Sequence, residues 1–243
     1  MAQVWEETLA NNLKEKFFIR GAQIDLDKIV SKDSYAESDH NLGLLIDRLV
    51  SLGVNTVFLQ GFCDKDGSGN IRSLYFYNRT LPVEADFLSH AVNSIKVRGI
   101  KVFIWMPVLS FELPDARLNE SLKVREMKDR QVGVTQSWYR RLSPFDDRSL
   151  AISRAIFRDL SAYVDFDGIL FQDDAYLSDK EDFHPAALKK FRELHHLDLS
   201  GETLENDGLI KSPWIQLKTE TLDRFLAELV KVIKTYHGLC PRN

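Results

Sequence analysis

The chain has 243 residues, 44% of them hydrophobic and 28% charged, with a formal net charge of −4. That composition is ordinary for a globular protein, and the length allows one large α/β domain or two small ones. The acidic balance removes the electrostatic case for nucleic acid or an anionic membrane as partner, and no run approaches the roughly 18 apolar residues of a membrane span.

In chain order, Met1 to Lys16 is polar and amphipathic and has no signal-peptide core, so residues 1–16 read as a helix or linker ahead of a domain over 17–243. Phe17 to Asp25 reads as a first strand, with Asp25 and Asp27 at its C-terminal end. Residues 28–38 read as polar loop. Asn41 to Leu52 reads as a helix, with Leu42, Leu45, Ile46 and Leu49 on one face and Gly53 as its stop. Val54 to Phe62, rich in β-branched and aromatic residues, is the second strand.

Asp64, Asp66 and Ser68 follow with the spacing of a calcium loop. The twelfth position is Tyr75 rather than Glu, and no helix leads in, so a Gly/Asp turn is the better reading. Tyr75, Phe76, Tyr77 and Arg79 form an aromatic-basic cluster on the same connection. Residues 86–98 read as a helix closed by Gly99. Ile100 to Leu109 reads as the third strand, with Trp105 and Pro107 near its end.

Residues 110–144 are too long for a simple connector and read as part of a site or a lid carrying Phe111, Trp138 and Tyr139. Asp146 to Val164 reads as a helix capped by Asp146. The short apolar run Ile169-Leu170-Phe171 is then a fourth, buried strand that ends in Asp173-Asp174. Packing has no use for two carboxylates there, since burying one costs several kcal/mol unless it is paired. Pro185 to His196 reads as a helix, 198–212 as loop, and Trp214 to His237 as a long helix with a stripe of Leu217, Leu222, Phe225, Leu226, Leu229 and Ile233.

Four βα repeats imply an α/β fold with a parallel sheet. A doubly wound sheet usually carries a glycine-rich phosphate loop after its first strand, where this chain has Asp25-Leu26-Asp27. A TIM-barrel-like (β/α) domain fits better, because its functional residues come from several strand ends. Four strands make half of such a barrel, and the expectation is a domain truncated after about four βα units.

In a barrel the strand ends converge and bring Asp25, Asp27, Gln60, Phe62, Trp105, Asp173 and Asp174 to one mouth. Carboxylates beside aromatic platforms suit a sugar polymer. Glycoside hydrolysis needs an acid for the leaving oxygen and a second group as nucleophile or base, and neighbouring carboxylates push their pKa values apart. Asp25 serves equally well as a loop cap and Trp105 as core. Asp173 and Asp174 also suit a divalent metal together with Glu181 or Asp182. The six histidines form no ligand motif, and His184 reads as a surface residue. Cys63 and Cys240 are neither a disulfide framework nor a zinc set and read as free, half-buried thiols. No cofactor motif is present.

The segments FDGILFQDDAYLSDKEDF, NLGLLIDRLVSLGVNTVFLQGF, LYFYNRTLPVEADF, KVFIWMPVLSFELPD and RLSPFD occur in this chain. Together they resemble the C-terminal glycoside-hydrolase-like domain of the poly-β-1,6-N-acetyl-D-glucosamine N-deacetylase family, from about Arg20 to Asn243. The resemblance implies a barrel-like fold with a carbohydrate cleft. It implies binding, and endo-hydrolysis in some members, of the partly deacetylated β-1,6-linked glucosamine/N-acetylglucosamine polymer during biofilm export. It further implies a periplasmic location and an N-terminal, metal-dependent deacetylase domain that this chain does not contain, so no metal site carries over. By motif the catalytic acids fall on Asp173 and Asp174, and substrate binding falls on Asp25, Tyr75, Phe76, Arg79 and Trp105. Gln172 stands where the family pattern has His; it keeps hydrogen bonding but does not titrate. The readings carried forward are a hydrolase, a non-catalytic polysaccharide-binding module, and an unrelated metal-assisted hydrolase on a similar barrel.

Overall fold

The computed structural model describes residues 18–129, 131–199 and 208–237. The expected helix or linker over 1–16, and Cys240, lie outside the described residues. In chain order the strands are β1 (Gly21–Ile24), β2 (Thr56–Gln60), β3 (Phe62–Cys63), β4 (Ser73–Leu74), β5 (Lys101–Met106), β6 (Arg125–Lys128), β7 (Gln131–Val134) and β8 (Gly168–Phe171). The helices are α1 (Tyr35–Ser51), α2 (Leu88–Lys96), α3 (Ala116–Leu122), α4 (Asp147–Tyr163), α5 (Pro185–His195) and α6 (Gly208–His237).

The main sheet has the order β1-β2-β5-β8, with every neighbouring pair parallel. The strands step across in sequence order without reversing. That is the winding of a barrel wall, whereas a doubly wound sheet reverses at a switch point. The sheet stays open, with β1 and β8 as its edges.

Side-chain parity sets the two faces. Val57, Leu59, Val102, Ile104 and Met106 point one way and are fully buried. They share a core with Leu42, Ile46 and Leu49 of α1, Ala91 and Ile95 of α2, Phe157 of α4 and Leu229 of α6. Burying each such side chain contributes about 1.5–3 kcal/mol, which holds the helices on that face. The opposite parity carries Phe58, Phe103, Trp105 and Leu170. Phe58 and Phe103 meet at 5.7 Å between ring centroids, and Leu170 is 40% exposed. A Cβ on Gly168 would come within 2.5 Å of the Phe103 ring, so a glycine is needed where β8 passes β5.

Several boundaries differ from expectation, each for a local reason. α1 starts at Tyr35, within the segment read as loop, because the Ser34 hydroxyl accepts from the Glu37 amide and caps it there. α6 starts at Gly208, ahead of the expected Trp214, with Pro213 inside it. The segment 110–144 is not irregular throughout. Asp115 caps α3, and β6 and β7 form an antiparallel hairpin turned by Asp129 at φ 51°. Asp146 caps α4 as expected, accepting from the Arg148 amide at 2.9 Å. His184 is buried rather than a surface residue. Its Nδ1 accepts from the Ala186 amide at the start of α5, which leaves Nε2 to donate to the Ser121 carbonyl at 2.9 Å.

Candidate functional site

Asp173 and Asp174 form a turn one residue after β8, beyond Gln172, with Asp173 exposed and Asp174 buried. Asp174 is fully buried. Its carboxylate accepts from the backbone amides of Val108, Leu109 and Ser110 at 2.7–3.1 Å, fixing the turn after β5. Burial pushes its carboxyl up, and those amides pull it down. Asp173 is exposed, and its Oδ1 accepts from the Tyr139 hydroxyl at 2.8 Å. Tyr139 lies in the long segment after β5, and burial followed by its bond to Asp173 raises the phenol above its ordinary value. It is therefore a standing donor at neutral pH. The pair read together from the sequence thus splits into one carboxylate spent on the fold and one presented to solvent.

Asp27, one turn after β1, anchors the opposite side. It accepts from Gln60 Nε2 at 2.8 Å, from the Tyr75 hydroxyl at 2.7 Å and from the Asp64 amide at 3.0 Å. Burial and this bond to Asp27 raise the Tyr75 phenol far above its ordinary range, so it donates at any physiological pH. Asp64 in turn accepts from the Gly69 amide at 3.1 Å, and Gly69 packs under Trp138 and Tyr139. A continuous set of contacts therefore runs from the end of β1, through the 64–70 turn, to Tyr139 and Asp173. The Asp64/Asp66 turn uses its own acids. Asp66 accepts from the Ser68 amide at 3.1 Å and pairs with Arg72 at 3.0 Å, as turn chemistry predicts.

The residues assigned to substrate binding are not all brought together. Asp25 is exposed at the end of β1, and its side chain makes no capping bond to the turn Leu26–Lys28. Trp105 is half-buried and packs edge-on against Phe62 at 5.0 Å. Tyr75 and Phe76 are buried, with Tyr75 reaching the site only through Asp27. Arg79 is held by Asp159 at 2.6 Å, toward the C-terminal end of α4. α4 runs back along the sheet from the strand ends, so that contact puts Arg79 away from the mouth. Glu181, considered as a metal partner, accepts from Arg141 at 2.7 Å and from Thr135 at 2.5 Å. Asp182 accepts from the amides of Arg125 and His184 at 2.9 Å. Among the described residues no group of three or more His, Cys, Asp or Glu side chains could hold a metal ion, and no helix is long and apolar enough to cross a membrane. Cys63 is a half-buried free thiol.

A cleft of about 590 Å³ lies elsewhere, between α4, α5 and α6, lined by Phe145, Asp146, Lys189, Lys190, Thr221 and Arg224. It includes neither Asp173 nor Asp25.

Sequence and structure comparisons bear on this geometry. Residues 23–240 match the model of hypothetical glycosyl hydrolase family 13. The chain is 35% identical, over 227 residues, to the poly-beta-1,6-N-acetyl-D-glucosamine N-deacetylase of Escherichia coli strain K12, and equally to that of strain O157:H7. The match takes in 93% of this chain and 33% of those proteins, so the chain spans about a third of the length of these relatives. The solved glycoside hydrolase domain of PgaB (BpsB) from Bordetella bronchiseptica superposes with a TM-score of 0.82 at 33% identity, over 91% of this chain and 62% of that one. An alpha-L-fucosidase from Paenibacillus thiaminolyticus shares the fold at TM-score 0.63 and 17% identity, over 89% of this chain and 31% of that one.

Proposed function

Because the chain belongs to hypothetical glycosyl hydrolase family 13, a glycoside-hydrolase-like domain related to that of PgaB, we propose that it binds and cleaves internal bonds of partly deacetylated poly-β-1,6-N-acetyl-D-glucosamine. The observation that carries this reading is Asp173, exposed at the end of β8 and oriented by the Tyr139 hydroxyl. In this mechanism Asp173 is the general acid. Tyr139 occupies Oδ1, and Oδ2 accepts no protein hydrogen bond among the described residues, so Oδ2 is the oxygen that carries and delivers the proton. The proton passes to the glycosidic oxygen as its bond to the anomeric carbon breaks. The acetamido oxygen of the substrate, or a second carboxylate, stabilises that carbon until water adds to it, and the proton that water releases returns to the Asp173 carboxylate. Asp25, the other exposed strand-end carboxylate, suits the ammonium group of a deacetylated unit.

Asp174 has a different part. Its three amide partners hold the turn after β5, so it positions the site and touches no substrate. Residues 17–243 form one glycoside-hydrolase-like domain in this reading. In the longer protein it works in the periplasm beside an N-terminal deacetylase domain, and the length of the relatives supports that arrangement. A binding module without turnover is favoured by one observation: Asp27 and Asp174 are both tied into the fold, which leaves Asp173 and Asp25 to grip cationic sugars. Mass spectrometry of the polymer after incubation decides between the two. Short oligomers from the wild type, absent with Asp173→Asn, support hydrolysis. Intact polymer that nevertheless binds in calorimetry establishes the module.

A further inference from the structure

Trp138 is 69% exposed, whereas Trp105 packs on Phe62 and Trp214 is 1% exposed. Among the described tryptophans it alone offers most of its ring to solvent. Its backbone is nevertheless fixed. Asn70 Nδ2 donates to the Trp138 carbonyl at 3.3 Å, and Asn70 Oδ1 accepts from the Arg140 amide at 2.6 Å. Ser137 Oγ donates to the Tyr139 carbonyl at 2.8 Å.

The ring rests on Gly69. A Cβ built there would lie 2.8 Å from both Trp138 Nε1 and Tyr139 Cε1. The two rings are therefore neighbours on one glycine, and Tyr139 is the residue that touches Asp173. Gly69 is itself pinned through Asp64 to Asp27. An exposed indole on a braced mount has little freedom left to lose on binding. It offers a broad apolar face with one polar handle, and its π-face attracts an ammonium group.

We propose that Trp138 is the stacking platform for one hexosamine unit of the polymer, next to the unit whose bond Asp173 protonates. The proposal rests on the carbohydrate reading above and adds a subsite to it. The indole takes the C–H face of a β-linked sugar, and a deacetylated unit gains further from its ammonium over the ring. The residues that shape this subsite, Gly69 and Asn70, come from the connection after β2, so two separate connections build one binding surface.

The experiment titrates the whole chain with a partly de-N-acetylated β-1,6-linked N-acetylglucosamine pentamer, by calorimetry and by tryptophan emission. The expected result is that wild type binds with a blue shift in emission. Trp138→Ala should then bind about tenfold more weakly, while Trp138→Phe stays within about threefold of wild type and loses most of the shift. The melting temperature should stay unchanged, because the ring is largely solvent-covered. A wild type that binds without any shift, or a Trp138→Ala variant with unchanged affinity, overturns the platform while leaving the substrate reading in place. A wild type that binds no pentamer at all overturns both. The emission response needs no variant, so a poorly folding substitution does not remove the test.

Discussion

The Tyr139 hydroxyl donates to Asp173 Oδ1 at 2.8 Å, across 34 positions of sequence. Tyr139 also sits on Gly69, whose amide is held by Asp64, whose own amide is held by Asp27 after β1. The exposed acid at one edge strand is thus oriented by a brace that starts at the other. An open four-stranded sheet has no closed barrel to fix the relative positions of its strand ends. These connections supply that fixing instead.

Removing only the phenol oxygen tests the brace. Tyr139→Phe keeps the ring on Gly69 and loses the bond to Asp173. A hydrogen bond to a charged group contributes about 1.5–3 kcal/mol. Cleavage of the polymer should therefore fall roughly 10- to 100-fold in kcat, with KM changed much less, because the lost bond acts on the acid rather than on sugar binding. Steady-state kinetics on the polymer checks this. A full-rate variant would take Tyr139 out of the mechanism.

The two adjacent aspartates should behave oppositely. Asp173→Asn leaves an exposed side chain of the same shape, so the melting temperature stays put while cleavage disappears. Asp174→Ala strips the partner from three buried backbone amides. Each unsatisfied group costs about 1–3 kcal/mol, so urea unfolding should show a loss of about 3 kcal/mol or more. If Asp174→Ala folds with wild-type stability, the carboxylate does not hold the turn after β5.

Much of this was legible beforehand, and the gaps have physical causes. The four strands and their covering helices follow from apolar period and from stop residues such as Gly53 and Gly99. Burial cost singles out Asp173-Asp174 in the sequence, yet in the structure only Asp174 is buried, and backbone amides satisfy it. The division of labour between the two was not legible, because the partners of Asp174 are amides, which no side-chain pattern reveals. From sequence Tyr139 is only an aromatic in a long segment, since β6 and β7 are four residues each and the charges Arg125, Glu126 and Lys128 of β6 mask any alternation. Arg79 read as site lining because its neighbours are aromatic. Its partner Asp159 lies 80 positions away, beyond the reach of local pattern.

Gly69 should tolerate no side chain, whereas Gly67 should tolerate one at modest cost. Both have positive φ, 69° and 64°, so alanine is strained at either by roughly 1–2 kcal/mol. At Gly67 nothing lies within 4 Å of the added Cβ, while at Gly69 it meets the Trp138 and Tyr139 rings at 2.8 Å. Gly67→Ala should therefore lower stability alone. Gly69→Ala should also displace Tyr139 and cut cleavage at least tenfold. Equal activity in the two variants would mean that the 64–70 turn does not steer the site.

Lys123 gives the fold a pH signature. Its ammonium is buried, donates to the carbonyls of Phe111 and Arg140 at 2.9 and 2.6 Å, and pairs with Glu112 at 3.0 Å, tying together the segment that carries Tyr139. Burial lowers its pKa from 10.5 to about 8, with Glu112 opposing. Below about pH 8 the lysine is protonated in both the folded and the unfolded chain, and the cost of burying the charge is constant. Between about pH 8 and pH 10.5 the folded chain has released the proton and the unfolded chain still binds it. Stability from this group therefore rises with pH across that window, by at most about 3 kcal/mol. Lys123→Met has nothing to titrate there, and the other lysines and tyrosines are common to both proteins. Urea midpoints for the two, measured through this window, should draw apart as pH rises, with wild type gaining on the variant. A difference that stays flat with pH would show that Lys123 keeps its ordinary pKa in the folded protein.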